Sequence, residues 1–127
     1  MKKKILIVVA DYYKEIAKGL VNNAKKEIKN KFYTQTIHVP GVFEIPVTIS
    51  RNIKYYHGFI ALGCVIKGKT PHFDFISRAS TDAIMSLSVI NKKPIGNGVI
   101  TCLNMNQAIS RKKKGKEAAR ALISILA

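Results

Sequence analysis

The sequence predicts an α/β fold in which a four-stranded parallel sheet lies between helices. Four short apolar runs rich in β-branched residues have the composition of buried strands, at residues 5–10, 33–39, 58–66 and 95–102. Between these runs, apolar residues recur with the period of a helix. Because strand and helix alternate, the strands need crossover connections, which favour a parallel sheet with helices on both faces.

Three helices are predicted by apolar residues that share one helix face. The first follows the first strand, and the other two follow the third and fourth strands. Their apolar positions are Ile16, Leu20, Val21, Ala24 and Ile28 in the first helix, Ile76, Ala79, Ala83, Ile84, Leu87 and Ile90 in the second, and Ala118, Ala119, Leu122, Ile123 and Leu126 in the third. After the second strand, Pro46 suits the first turn of a further helix.

Length and composition predict a single globular domain over residues 1–127. The apolar run near the amino terminus lacks a cleavage pattern and continues into DYYKE, so we expect no signal peptide. No run is long enough to span a membrane. Cys64 and Cys102 lie inside apolar strands without metal-ligand spacing, which predicts reduced thiols, no zinc site and a cytoplasmic location.

The balance of 22 Lys and Arg against 7 Asp and Glu gives a net charge of +15. Such a charge attracts phosphate backbones at moderate salt. The basic residues are, however, scattered over the amino-terminal tip, the first helix and residues 111–116. This spread favours a solvated lysine-rich surface, and no nucleic-acid partner is expected.

Two loops after predicted strands carry residues suited to ligand binding, which in such sheets takes place beyond the carboxyl ends of the strands. In ADYY, Tyr12 can present a flat aromatic face to a planar ligand, and the alternative is a tyrosine that packs in the core or lies on the surface. In VPGVFEIP, Pro40 and Gly41 form a turn that leaves the backbone groups of residues 42–45 free to bind a ligand. An ordinary loop is the alternative for this segment.

The loop after the third strand has the sequence GKTPHF. Thr70 is a candidate helix N-cap with Pro71 at the first helical position, which leaves backbone N–H groups as an anion site near Gly68 and Lys69. His72 would stand beside the bound anion, where an imidazole can transfer a proton near neutral pH. A structural role for this histidine is the alternative.

Three stretches, taken in order, resemble the lumazine synthase family over nearly the whole chain. They are VPGVFEIP, LGCVIKGKTPHFDF, and GVIT followed by QAISR. The resemblance implies a flavodoxin-like three-layer α/β/α subunit. It also implies an enzyme of riboflavin biosynthesis that condenses 5-amino-6-(D-ribitylamino)uracil with 3,4-dihydroxy-2-butanone 4-phosphate to give 6,7-dimethyl-8-ribityllumazine. Homopentamers, in some cases packed into a 60-subunit shell, and a downstream riboflavin synthase are further implications. No metal or other cofactor is expected.

The resemblance also assigns residues to the two substrates. It places the pyrimidine ring against Tyr12 and implies that His72 transfers a proton. The pyrimidine and its ribityl chain would be held by Val42, Phe43, Glu44, Cys64, Val65 and Ile66, and the phosphate by Lys69, Thr70 and Arg111.

Asn97 occupies a position where the family often has an aromatic residue from the neighbouring subunit. It lies near the beginning of the fourth strand, far from the cluster of carboxyl-end loops, so we expect a neighbour to supply it. The resemblance implies that Arg111 enters from the same neighbour. The segment after Arg111 is short. Lys114 is therefore the preferred match to a lysine of the family site, and Lys116 is its rival.

Two alternatives remain open at this point. One is an archaeal-type riboflavin synthase of the same fold, which acts on two lumazine molecules. The other is a non-enzymatic module, either a basic nucleic-acid binder or a receiver-like signalling domain. A receiver needs an acidic cluster around its first strand, where this chain has only Asp11.

Overall fold

The computed structural model describes residues 2–126 and contains one parallel four-stranded sheet. Its strands lie in the order β2-β1-β3-β4 and are β1 (Lys4–Ala10), β2 (Tyr33–Val39), β3 (Gly58–Ile66) and β4 (Ile95–Cys102). The first four strands of flavodoxin-like sheets have this order. The prediction of an α/β fold with a four-stranded parallel sheet is therefore confirmed.

Helices cover both faces of the sheet, which gives three layers. They are α1 (Lys14–Ile28), α2 (Ile45–Asn52), α3 (His72–Asn91), α4 (Met105–Ser110) and α5 (Lys114–Leu126), and a short 3-10 turn (Val42–Glu44) precedes α2. One core cluster joins α1, α4 and α5 to the sheet, and a second cluster joins α2 and α3 to the opposite face. None of the described helices is long and apolar enough to cross a membrane.

The alternation of side chains along β1 divides the core between these two clusters. Ile5, Ile7 and Val9 face α1 and α5, whereas Leu6 and Val8 face α2 and α3. All five are completely buried. Burial of each such side chain contributes about 1.5 to 3 kcal/mol, so the central strand fixes both helical layers against the sheet.

The close approach of α5 to α1 depends on Gly115 in the first turn of α5. A Cβ atom at this position would lie 2.0 Å from the carbonyl oxygen of Leu20, which is backbone and cannot move aside. Only glycine permits this contact. The contact fixes where α5 begins, and with it the position of Lys114 beside the edge of the sheet.

The apolar face predicted for α3 is only partly correct. Ile84 is buried, and Ser80 is buried beside it, whereas Ala79 is exposed and Ile90 is 75% exposed. At 3.6 residues per turn, Ala79 and Ile90 point roughly 80° to 100° away from Ser80 around the helix axis. They therefore lie beside the buried stripe, on the surface of the subunit.

Helix α4 was not predicted, although its start has a recognisable signal. The Asn104 side chain accepts a hydrogen bond from the Gln107 N–H (2.9 Å), and the Gln107 side chain accepts one from the Leu103 N–H (2.8 Å). An Asn followed three residues later by a Gln is a capping pattern for a helix N-terminus. The helix has only six residues, too few for its apolar period to stand out.

Candidate active site

The loops after β1 and β2, the end of β3 and the start of α3 line a cavity of about 530 Å³ at the carboxyl end of the sheet. We call it the first cavity. Eight of the residues predicted from the sequence line it: Tyr12, Val42, Phe43, Glu44, Cys64, Val65, Ile66 and His72. The parallel topology explains why residues from three distant segments meet, because the carboxyl ends of parallel strands share one edge of the sheet.

The loop after β1 places two tyrosines at the mouth of the first cavity. Tyr12 is 75% exposed, and its ring meets the ring of Tyr13 edge to face, with centroids 4.9 Å apart and planes at 77°. Tyr13 packs against the core beneath α1. Burial raises the pKa of the Tyr13 phenol above its ordinary value of 10.0, with smaller contributions from Cys64 and Tyr12. Tyr13 is therefore a neutral hydroxyl at working pH.

The loop after β2 is more ordered than the sequence analysis predicted. The Glu44 N–H donates to the Gly41 carbonyl (3.1 Å), and the Glu44 carbonyl accepts from the Thr48 hydroxyl (2.8 Å). The backbone groups of Glu44 are thus already engaged, and the expectation that they are free is wrong. Its carboxylate accepts from the Gly41 N–H (2.9 Å) and closes the turn. The side chain of Phe43 is 66% exposed at the rim of the cavity.

Strand β3 forms the floor of the first cavity. Cys64 and Val65 are buried and Ile66 is partly buried, so this floor is apolar. Burial raises the pKa of the Cys64 thiol to about 12, and Cys102 raises it further through its charge and a hydrogen bond. A thiol with so high a pKa carries almost no thiolate at neutral pH and is a poor nucleophile. Cys64 can therefore shape the floor of the cavity but is unsuited to covalent catalysis.

We expect Cys64 to react slowly with thiol reagents in the folded protein. At pH 8 only about 10⁻⁴ of the thiol is ionised, because its pKa is about 12. Thiol titration at pH 8 should detect both cysteines only after unfolding. A fast stoichiometric reaction in folded protein that is absent from Cys64→Ser would contradict this assignment.

The raised pKa of Cys64 also predicts that the free energy of unfolding depends on pH. The pKa of this thiol is near 9.0 in the unfolded chain and about 12 in the folded protein, so the neutral thiol favours the folded state. The stability that this difference contributes is fully present below pH 9.0 and should be lost as the pH rises toward about 12.

The loop between β3 and α3 places His72 as the first residue of α3, with its side chain lining the first cavity. The N-cap is Pro71, and its carbonyl accepts from the Phe75 N–H (3.2 Å). Thr70 was expected to be the N-cap and instead precedes it, where its hydroxyl makes only a long contact of 3.4 Å with the His72 N–H. Proline can occupy the N-cap here because its backbone carbonyl accepts the first hydrogen bond of the helix, and no side-chain acceptor is needed.

Lys69 and Thr70 lie next to the first cavity and do not line it. Both are exposed, in a loop anchored where the Lys67 N–H donates to the Cys102 carbonyl (2.8 Å). Their position just before α3 brings them to the positive end of the helix dipole, where the first N–H groups face outward. This arrangement can hold an anion at the side of the first cavity.

The remaining predicted residues line a separate cavity of about 640 Å³, which we call the second cavity. It contains Asn97, Arg111 and Lys114, together with Lys113. The Asn97 side chain accepts from the Val99 N–H (3.0 Å), and the Arg111 guanidinium donates to the Thr101 carbonyl (3.3 Å). Both contacts are made to β4, which is the last strand of the sheet. The second cavity therefore lies at the β4 edge.

The lining of the second cavity distinguishes between the two candidate lysines, Lys114 and Lys116. Lys114 lies 3.9 Å from Glu117 and lines the cavity with Lys113, whereas Lys116 does not. The stem of Lys112 lies against α1, where a Cβ atom at Gly19 would come within 2.5 Å of it. This geometry favours Lys114 over Lys116 as the lysine that accompanies Arg111.

Three residues that line the first cavity were missed by the sequence analysis: Tyr13, Gly41 and Ile76. The sequence analysis assigned Gly41 only to a turn and Ile76 only to the apolar face of a helix. A residue in either place can also line a cavity, and the apolar pattern does not show this. Tyr13 had a signal of its own. It occupies the N-cap of α1, where Ser, Thr, Asp and Asn are preferred and a tyrosine side chain makes no capping bond.

Comparison with known sequences identifies relatives of this chain. A family profile described as 6,7-dimethyl-8-ribityllumazine synthase matches residues 2–127. The chain belongs to this family. A relative of the same name from Agrobacterium fabrum (strain C58 / ATCC 33970) is 40% identical over 138 residues, covering 98% of this chain and 93% of the relative. One from Paenarthrobacter aurescens (strain TC1) is 36% identical over 130 residues, covering 95% and 81% respectively.

Membership of the 6,7-dimethyl-8-ribityllumazine synthase family decides between the functions left open by the sequence. A further relative, 6,7-dimethyl-8-ribityllumazine synthase 1 from Rhodopseudomonas palustris (strain ATCC BAA-98 / CGA009), is 40% identical over 136 residues, covering 97% of this chain and 83% of the relative. Matches of this extent favour the lumazine synthase reaction over an archaeal-type riboflavin synthase, a receiver-like domain or a nucleic-acid-binding module.

Proposed function

We propose that the first cavity binds 5-amino-6-(D-ribitylamino)uracil and that its rim binds 3,4-dihydroxy-2-butanone 4-phosphate. As a member of its family the chain is a transferase that condenses these substrates to 6,7-dimethyl-8-ribityllumazine, phosphate and water in riboflavin biosynthesis. One observation carries the assignment of the site: eight residues from separate segments of the chain, each predicted from the sequence to hold the pyrimidine or to transfer a proton, line a single cavity.

The first cavity suits a flat ring with a polar chain. Tyr12 and Phe43 stand exposed at its mouth, and the apolar side chains of β3 form its floor. A pyrimidine bound between these rings and the floor would cover an aromatic face. Aromatic rings prefer offset or edge-to-face contacts, which this arrangement allows. Glu44 and His72, which also line the cavity, supply the few polar groups beside the ring. Such a mixture of apolar wall and sparse polar groups is typical of small-molecule sites.

Catalysis here requires positioning and proton transfer. The aromatic amine attacks the ketone and water leaves to form an imine, phosphate then departs, and ring closure with loss of a second water completes the product. Holding both substrates in one cavity lowers the barrier of the first step. His72, at the side of the cavity nearest the α3 terminus, takes the proton from the carbon beside the imine as phosphate leaves.

The phosphate is assigned to the exposed loop before α3. Lys69 and Thr70 lie there beside the N–H groups of the first turn, which favour anions. Arg111 adds the planar fork of donors that suits a phosphate. In a single chain Arg111 belongs to the second cavity and not to the first, so this assignment needs a second subunit.

We infer that the active site is shared between subunits of a homopentamer. The first and second cavities hold the two halves of the predicted site on different parts of the chain. A head-to-tail ring brings two different surfaces of the same chain together at every interface and closes by rotation. Apolar side chains exposed along α3, among them Phe75, Met85, Val89 and Ile90, support extensive contact between copies.

The proposal also covers the larger assembly of the enzyme, its downstream partner and its location. Pentamers of this kind can pack further into a 60-subunit shell, and mass measurement of the native assembly distinguishes five subunits from sixty. The product is the substrate of riboflavin synthase, which we propose as the downstream partner. The two cysteines are unpaired, as suits a reducing cytoplasm.

Complementation tests the shared site. Tyr12→Ala and Arg111→Ala are prepared separately, dissociated, mixed in equal amounts and reassembled. About one quarter of the interfaces should then pair an intact Tyr12 with an intact Arg111, so activity should rise well above that of either parent. Activity that stays at the average of the parents, with subunit mixing confirmed by mass, would place the whole site within one chain.

A matched control uses two residues that line the same cavity. Tyr12→Ala and His72→Ala both alter the first cavity of a single chain. Mixed rings of these two variants should show no rescue, because no interface regains both side chains on one subunit. Rescue in this pair as well would mean that reassembly alone restores activity, and the sharing of sites would then have no support.

A further inference from the structure

The loop that carries Tyr12 is tied to the neighbouring loop of the first cavity by a polar contact. The Asp11 N–H donates to the Val39 carbonyl (3.0 Å), which extends the pairing of β1 and β2 by one residue. The Asp11 carboxylate lies 3.2 Å from Nδ1 of His38, the residue opposite Val9 in that pairing. Asp11 immediately precedes Tyr12, and His38 lies a few residues before the turn that closes at Glu44. The contact therefore joins the two strand ends from which the Tyr12 loop and the Val42–Glu44 turn of the cavity continue.

Tyr13 supports the same loop from the other side. Its ring stands almost perpendicular to that of Tyr12, at 77° and 4.9 Å between centroids, and its far side packs on the core beneath α1. Tyr13 also occupies the N-cap of α1 without making a capping bond. A residue that breaks the local preference of a helix start is expected where function needs the side chain.

We propose that Asp11, His38 and Tyr13 are positioning residues that hold the Tyr12 ring ready for the pyrimidine. Tyr12 is 75% exposed, so the surrounding protein otherwise leaves its ring free to rotate. An exposed side chain that must be ordered when a ligand binds weakens the binding, and fixing its orientation beforehand removes that cost. These residues thus act on pyrimidine affinity through Tyr12, and this inference rests on the proposed placement of the pyrimidine.

Replacement of Tyr13 separates its contact with the Tyr12 ring from its packing on the core. Tyr13→Leu keeps an apolar contact with the core but removes the edge-to-face partner of Tyr12, whereas Tyr13→Phe keeps the ring. The Leu variant should raise the KM for the pyrimidine about 2- to 10-fold, the range expected for loss of an aromatic pair. The KM for the butanone phosphate and the melting temperature should stay close to wild type, and Phe should restore the pyrimidine KM.

The decisive measurement is made without Tyr12. If Tyr13 acts through Tyr12, then adding Tyr13→Leu to Tyr12→Ala should cause no further rise in the pyrimidine KM. A full additional rise in that background, or equal rises in both KM values, would show that Tyr13 acts independently of Tyr12 and overturn the inference. No effect of Tyr12→Ala itself would overturn the proposed pyrimidine site as well, so the two failures are distinguishable.

Asp11 and His38 are tested in the same way. His38→Ala and Asp11→Ala should each raise the pyrimidine KM by at most about fivefold, because the pair is partly exposed and such contacts are weak. The double variant should be no worse than either single one. Asp11→Asn, which keeps an oxygen that can accept from His38, should fall nearer to wild type. Additive effects in the double variant would show that the two residues do not act as a pair.

Discussion

Replacing His72 with alanine is expected to lower kcat by about 10²-fold. Proton transfer by a positioned side chain contributes about 10² to 10⁴ in rate. The low end applies here because the proton that His72 removes lies on a carbon beside an imine, which already makes it more acidic. His72 lines the first cavity as the first residue of α3 and contributes nothing to the buried core. The pyrimidine KM and the melting temperature should therefore change little.

Another exposed histidine provides the control for this measurement. His57 precedes β3 at the opposite end of the sheet, where its Nδ1 accepts from the Lys4 N–H (2.9 Å). His57→Ala should leave kcat unchanged. His72→Gln, which keeps hydrogen-bonding groups but cannot carry a proton near neutral pH, should be as slow as His72→Ala. If the glutamine variant regained wild-type turnover, His72 would serve to bind substrate and not to transfer a proton.

The sheet could be predicted closely because its signals are local. Three of the four strands have the predicted bounds, and β1 begins one residue earlier, at Lys4. Buried parallel strands are continuous apolar runs, and Gly58 and Ile66 mark the ends of such a run plainly. The crossover rule then limits the topology to a parallel sheet.

Helix surfaces and helix ends were harder to predict. The apolar residues of α3 suggest a wide buried face, but the neighbours of this helix cover only a stripe around Ser80 and Ile84. How much of an apolar face is covered depends on which elements pack against it, and the apolar pattern of one helix does not show this. The cap at Pro71 depends similarly on the path of an exposed loop, which composition does not determine.

The first cavity was predictable because the ends of neighbouring parallel strands meet. Tyr12, Phe43 and His72 each follow a different strand, and the sheet topology brings them together. Contacts between side chains of the loops were not predictable. The pair of Asp11 and His38 depends on the register of β1 against β2, which the apolar pattern of two short strands does not fix to the residue.

Replacing Arg111 with alanine is expected to raise the KM for 3,4-dihydroxy-2-butanone 4-phosphate about 10- to 150-fold. Loss of a charge-assisted contact costs about 1.5 to 3 kcal/mol, which corresponds to this range. Arg111 is exposed and donates only one long bond, to the Thr101 carbonyl (3.3 Å), so the fold should tolerate the change. The pyrimidine KM should rise less than about twofold, because the pyrimidine, unlike the phosphorylated substrate, carries no anionic group that forms a charge-assisted pair with a guanidinium.

Two further variants show whether charge or geometry matters at Arg111. Arg111→Lys keeps the positive charge but loses the planar fork, so its KM for the butanone phosphate should lie between those of wild type and Arg111→Ala. Lys116→Ala also removes one charge from this segment, but the Lys116 side chain does not line the second cavity. This variant should therefore have little effect on the KM for the butanone phosphate. A large effect of Lys116→Ala, or equal effects of Arg111→Ala on both substrates, would move the phosphate away from Arg111. In that case Lys113 becomes the residue to test, since it is the lysine nearest to Arg111 along the chain that lines the same cavity.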